Sequence, residues 1–239
     1  MTETIKNKIE KIEPGVVFTA SDFDVTVKSP TTVSRILNDF VTQGYLRKLS
    51  KGRFYKPQIS KFGELPPDMY QTVKDLIEKD SKLIGYITGY TAFNDLGLTT
   101  QAPSALQVGT YDEKKAIVRG AYRISFIKQR NNITKENIPL LKLLDCLRLF
   151  KIIPDILPDN ACKRLLYLLS QLDENQRNKI KKLVLKYSPQ TISLLGAMLE
   201  TLSPQEDTTT LFKMLNPMTS YKLGISDKIL FNQKKWNII

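Results

Sequence analysis

Residues 29–57 read SPTTVSRILNDFVTQGYLRKLSKGRFYKP, and this stretch decides how the chain is read. Within it, Val33, Ile36, Leu37, Phe40 and Val41 are spaced i, i+3, i+4, i+7 and i+8. Apolar residues at that spacing line one side of an α-helix, so the pattern predicts a helix with a single buried stripe. Ser29 is a good N-cap, Pro30 suits the first helical position, and Gly44 supplies the C-cap. The opposite face carries Thr31, Thr32, Ser34, Arg35, Asn38 and Thr42. Short polar side chains with one arginine suit a helix lying in a major groove. Long acids there would repel phosphate, and the one acid, Asp39, lies late in the helix.

Downstream, Leu46 on one side and Phe54 and Tyr55 on the other flank Ser50-Lys51-Gly52. Apolar residues around a tight turn predict a β-hairpin, with the glycine providing the positive φ. From Arg47 to Lys56 there are five basic residues and no acid. A hairpin tip bearing Lys48, Lys51 and Arg53 has the charge and shape to hold a phosphate backbone. Upstream, Ile5, Ile9 and Ile12 recur at helical spacing up to Pro14-Gly15. Val16-Val17-Phe18 is a short apolar run, and Thr19 or Ser21 can cap a brief second helix. A helix with a small-polar face followed by a basic hairpin is the order of a winged helix-turn-helix. The alternative is an amphipathic helix and a solvated hairpin in an ordinary small domain.

This region resembles the winged-helix domain of AbiEi-type antitoxins. The matching residues are Gly15 to Phe18, Val33 to Leu37, Gly44 to Leu49 and Lys51 to Pro57. The resemblance continues through Thr88-Gly89-Tyr90, Ala92-Phe93-Asn94, Leu96 to Gln101 and Pro103. Together these stretches cover roughly the first 130 residues, and Ile138 to Asp155 extends them. The resemblance implies a bacterial antitoxin that represses its own operon and counteracts a nucleotidyltransferase-like toxin, described in that family as acting without a stable complex.

Composition bounds the remaining choices. The chain has 239 residues, 41% hydrophobic and 25% charged, which is ordinary for a globular protein. No apolar run approaches the roughly 18 residues of a membrane span, and Met1 to Lys11 lacks a signal-peptide core, so a soluble cytoplasmic protein is expected. Thirty-six basic against 24 acidic residues give +12. That surplus favours an anionic partner, although a lysine-rich proteome would also produce it. There is no histidine and there are two cysteines, Cys146 and Cys162. A Cys/His metal cluster and a histidine base are therefore excluded within this chain. Both cysteines sit in apolar surroundings and read as reduced core residues.

After a turn-rich connector at Gly63 to Pro67, Met69, Val73, Leu76 and Ile77 predict a helix. Gly85 to Gly89 reads as extended, Tyr90 to Leu96 as a short helix ended by Gly97, and Leu106–Thr110 and Ala121–Ile127 as strands. Gly85, Gly89 and Gly97 lack the spacing of a nucleotide-binding loop and read as turn and cap glycines. Asp95, Asp112 and Glu113 read as solvated acids rather than a catalytic pair. From Ile138 onward, Pro139, Pro158, Asp173 and Ser188-Pro189 each open a helix, and the tail from Leu211 is less regular. Lys179 to Lys186 reads as a solvated basic face, and the helical segment as a cap on the middle one, with no strict repeat.

The expectation is an α+β chain with three segments: a winged helix-turn-helix at 1–60, a mixed α/β region at 61–135 and an all-α region at 136–239. The expected DNA-contacting residues are Thr31, Thr32, Ser34, Arg35, Asn38, Lys48, Lys51 and Arg53, with Arg35 and Asn38 as base readers. Expected partners are double-stranded DNA of its own promoter and, as a functional antagonist, the toxin; a dimer on paired half-sites is left open. No enzyme activity, metal or cofactor is expected. The alternative is a stand-alone winged-helix regulator whose later regions sense a ligand or oligomerise.

Overall fold

The computed structural model describes residues 2–23, 30–103 and 105–239. It is mixed α+β and divides into two compact units, Met1–Leu76 with Ala116–Ile124, and Ile77–Lys115 with Ser125–Ile239.

The first unit opens with α1 (Thr2–Glu10), whose Ile5 and Ile9 are buried. Strand β1 (Val17–Phe18) follows the Pro14-Gly15 break. The brief second helix is a 3-10 turn, Ala20–Asp22. The amide and hydroxyl of Thr19 both donate to the Asp22 carboxylate, at 2.6 and 2.9 Å, which closes its start. Ser29, expected to cap the next helix, lies outside the described residues. Helix α2 (Pro30–Thr42) buries Val33, Ile36, Leu37 and Phe40 against Ile5, Ile9, Phe18, Phe23, Leu46 and Phe54. Each fully buried side chain of this kind contributes about 1.5–3 kcal/mol, so the stripe suffices to fix the helix on its core. The helix ends as expected. Gly44 has φ +76°, its amide donates to Val41 O at 3.0 Å, and the Tyr45 amide reaches back to Phe40 O at 2.9 Å.

Strands β2 (Arg47–Ser50) and β3 (Arg53–Tyr55) form the expected hairpin, with Gly52 at φ +73° in the turn. β1 pairs with the other edge of β3, Phe18 opposite Phe54, giving a sheet of order β1-β3-β2. A second hairpin, β4 (Gln58–Ser60) and β5 (Gly63–Leu65), stands where the sequence suggested only a connector. Helix α3 (Met69–Ile77) follows, with Val73 buried.

In the second unit, β6 (Glu78–Lys79) and β7 (Lys82–Leu83) make a small hairpin. β8 (Gly85–Thr88) leads into α4 (Tyr90–Asp95), which Gly97 ends at φ +68°. β9 (Ala105–Thr110) pairs antiparallel with β8, Tyr86 opposite Gly109. A Cβ at Gly109 would lie 2.5 Å from the Tyr86 ring, so the tyrosine crosses the strand only because nothing projects there. Next come β10 (Ile117–Arg119) and β11 (Tyr122–Lys128), paired as a hairpin whose residues to Ile124 belong to the first unit. The remainder of β11, in the second unit, lies beside β9.

Helices α5 (Ile138–Arg148), α6 (Pro158–Ser170), α7 (Glu174–Val184), α8 (Pro189–Leu202) and the short α9 (Thr209–Lys213) complete the chain. Prolines open α6 and α8 at the first helical position, and Asp173 caps α7 by accepting from the Gln176 amide at 2.8 Å. Phe93 and Leu98 share one continuous core with Leu141, Leu144, Leu165, Leu195 and Trp236. Cys146 and Cys162 are buried in that core as free thiols, and burial pushes the Cys162 thiol up to about 12. Among the described residues no helix is long and apolar enough to cross a membrane.

Candidate nucleic-acid interface

Helix α2 is held by its buried stripe, so its other face is turned outward. Thr31, Arg35 and Asn38 are exposed there, and Thr32 and Ser34 are half-buried. The Asn38 side-chain amide is held at both ends. Its Nδ2 donates to Ser34 O at 2.7 Å, and its Oδ1 accepts from Lys48 Nζ at 3.1 Å. Lys48 lies on β2 and also sits over the Phe54 ring, 6.0 Å from its centroid. The polar face of α2 and the edge of the basic hairpin are therefore neighbours. Lys51 is exposed at the hairpin turn.

The other basic residues of the hairpin are differently placed. Arg47 forms a two-pronged pair with Glu64 of β5, its Nε 2.8 Å from Oε2. Lys56 donates to Glu10 O at 3.2 Å. Arg53, expected to hold phosphate, pairs with Asp75 of α3. Asp75 also binds Arg119, which is only 5% exposed and donates to Thr72 O at 2.9 Å. Burial alone would raise the Asp75 pKa; hydrogen bonds and charge from Arg119 and Arg53 outweigh it and hold the carboxyl below its usual range. Of the expected phosphate holders, Lys48 and Lys51 pair with no carboxylate among the described residues, whereas Arg53 is engaged inside the unit. Arg35 has no side-chain partner among the described residues.

Two features of this unit were not anticipated from the sequence. The Asp75 clamp joins residues far apart in the chain. The β4–β5 hairpin presents Ile59, Leu65 and, at its turn, Phe62 at 99% exposure. Its one local signal is Gly63, which takes φ +107° to close the turn.

In the second unit, Gly89 (φ +63°) starts α4 and Gly97 (φ +68°) follows its end, as read from the sequence, whereas Gly85, read with them as a turn or cap glycine, lies in β8. Asp95 pairs with Lys142 at 2.8 Å, and Glu113 with Lys128 at 3.5 Å. The run Lys179 to Lys186 is partly paired, Lys179 to Glu136 and Lys181 to Glu206. Sequence reasoning did not find the buried Asp145. It accepts hydrogen bonds from Tyr86 at 2.6 Å, Thr88 at 2.8 Å and Tyr187 at 3.1 Å. Burial raises its pKa, and these three hydroxyls together with the charge of Arg148 only partly oppose the rise.

By architecture this is a mixed α+β protein with an outward polar helix beside a basic hairpin. Residues 4–192 match the model of DUF6088, a family of unknown function, and the chain belongs to that family. The crystal structure of the RV2827C protein from Mycobacterium tuberculosis is similar in fold, with a TM-score of 0.57 at 11% identity, covering 92% of this chain and 83% of that one. No curated protein matches the chain.

Proposed function

We propose that residues 1–60 are a winged helix-turn-helix and that the protein is a DNA-binding antitoxin that represses its own operon. Helix α2 enters the major groove, where Arg35 reads a base edge and Thr31, Thr32 and Ser34 assist. Lys48 and Lys51 hold the adjacent phosphates. Asn38 reads a base once Lys48 turns from it to phosphate, and Arg53 contributes less because Asp75 holds it. The observation that carries the reading is the 3.1 Å contact between Lys48 and Asn38, which sets groove-sized helix face and basic hairpin side by side. Gel retardation of its own promoter fragment at low ionic strength, with an unrelated duplex as control, tests it. Preferential retention of the promoter is expected, and equal failure on both would overturn it.

The antitoxin part of the proposal rests on the resemblance to AbiEi-type proteins. Its antagonist would be a nucleotidyltransferase-like toxin made from the neighbouring gene. Co-expression should restore growth stopped by that gene product. Absence of rescue, together with promoter binding, would leave a stand-alone winged-helix regulator.

A further inference from the structure

The second unit contains a cavity of about 390 Å³ whose wall is cationic. Lys128 and Arg130 from the end of β11, Arg148 from the end of α5 and Lys186 from the end of α7 all line it, against one acid, Glu113. Glu113 pairs with Lys128. Arg148 and Lys186 make long contacts to backbone carbonyls, Lys128 O at 3.4 Å and Arg130 O at 3.3 Å, which no negative charge accompanies. Among the described residues, Arg130, Arg148 and Lys186 thus line one concave space with no salt bridge to a carboxylate, and Arg148 acts on the buried Asp145 only through its field. Like charges held together in this way repel one another, and an anion between them relieves the repulsion.

Two further features point the same way. The N-terminus of the fourteen-residue α8 opens onto the cavity at Ser188-Pro189, adding the positive end of a helix dipole. Beside it the lining is fixed in advance. Gln129 is 4% exposed; its Nε2 donates to Tyr86 Oη at 2.9 Å and Tyr187 Oη at 2.8 Å, and its Oε1 accepts from the Asn131 amide at 2.8 Å. The one buried carboxylate nearby, Asp145, is covered by hydroxyl protons, including that of Tyr187, which itself lines the cavity.

We propose that this cavity binds a phosphorylated small molecule of nucleotide size, with Arg130, Arg148 and Lys186 holding its phosphates. The volume lies in the range of small-ligand sites. A duplex backbone needs an open, extended surface and does not enter a recess of this size, so the favoured occupant is a free phosphate ester. The cavity belongs to the second unit, and its binding does not depend on the DNA reading of the first.

Isothermal titration of the full-length protein at fixed ionic strength, with ATP, inorganic pyrophosphate and adenosine as probes, tests this. Saturable one-to-one binding of ATP and pyrophosphate is expected, with adenosine silent, and at least a tenfold loss of affinity in both Arg148→Ala and Lys186→Ala. Both residues are exposed, and an unchanged melting temperature will confirm that the variants fold. No saturable binding of either phosphate probe, or binding unaltered in the two variants, would overturn the proposal. So would displacement of ATP by a short duplex in a Lys48→Glu, Lys51→Glu background, which would give the cavity to a nucleic-acid backbone.

Discussion

Lys48 Nζ lies 3.1 Å from Oδ1 of Asn38, across the gap between the basic hairpin and the exposed face of α2. Ten residues separate the pair in the chain, and two structural devices close the distance. Gly44 turns the backbone out of the helix with a positive φ, and Leu46 and Phe54 bury themselves in the core beneath. The surface that results has a polar helix face flanked by two lysines, Lys48 and Lys51, that pair with no carboxylate among the described residues.

Salt dependence should separate the hairpin's basic residues. Each lysine that neutralises a phosphate releases about one counterion, so Lys51→Ala should weaken binding to every sequence and flatten the plot of log affinity against log salt by about one unit. Arg53→Ala should flatten it far less, because Asp75 already holds that guanidinium. Anisotropy titrations between 50 and 200 mM salt, roughly the range where such slopes are read, make the comparison. Equal slopes for the two variants would mean that Arg53 leaves Asp75 to reach DNA.

Asp75→Ala should act on stability rather than on binding alone. It removes the carboxylate facing Arg119, which is nearly buried and, among the described residues, keeps Thr72 O as its remaining partner. Hydrogen bonds to charged groups of this kind are worth about 2 kcal/mol each, and Asp75 is partly solvated, so a loss of that order is expected by urea denaturation. A loss below about 0.5 kcal/mol, the range of an ordinary surface substitution, would show the clamp to be dispensable.

How much of this was legible in the sequence follows from chain separation. Helix α2 was readable because its signal repeats within one element, from Val33 to Val41 and on to the cap at Gly44. The turn at Lys51-Gly52 was readable for the same reason. The pairing of Phe18 with Phe54 was not, since an apolar run says nothing of its partner strand. β4, β5 and β10 are three residues each, too short for a period to register. The Arg53–Asp75–Arg119 clamp spans 22 and 44 residues, and the cations lining the cavity come from the ends of three separate elements. Such constellations are products of tertiary packing, and no local pattern encodes them.

The buried Asp145 predicts a pH effect of definite sign. Burial lifts its pKa above the unfolded value of about 3.9, so the folded state holds the proton more tightly. Stability from that proton is complete below the unfolded value and is lost as pH rises through the raised folded value. Asp145→Asn does not titrate. The stability of wild type minus that of Asp145→Asn should therefore fall as pH is raised from about 4, measured by denaturant unfolding. A difference that stays flat or rises would contradict the raised pKa.

Gly196 tests the packing of the carboxyl-terminal tail. Alanine inside a helix normally stabilises by about 1 kcal/mol relative to glycine. Here a Cβ on α8 would lie 2.1 Å from the fully buried Trp236 ring. Overpacking typically costs about 1–3 kcal/mol, so Gly196→Ala should lower the melting temperature despite the gain in helix propensity. A higher melting temperature would mean that the tail containing Trp236 does not pack on α8 as described.

The central claim is that the outward face of α2 reads DNA sequence, and Arg35 carries most of that claim. The most direct measurement is the ratio of affinities of the full-length protein for its own promoter fragment and for a scrambled duplex, compared between wild type and Arg35→Ala. Loss of a base-edge contact should narrow the ratio by about 1–3 kcal/mol, or roughly 5- to 150-fold, while leaving scrambled-duplex binding nearly intact. An unchanged ratio, or an equal loss on both duplexes, would mean that α2 touches only the phosphate backbone or lies away from the DNA, and would contradict the account.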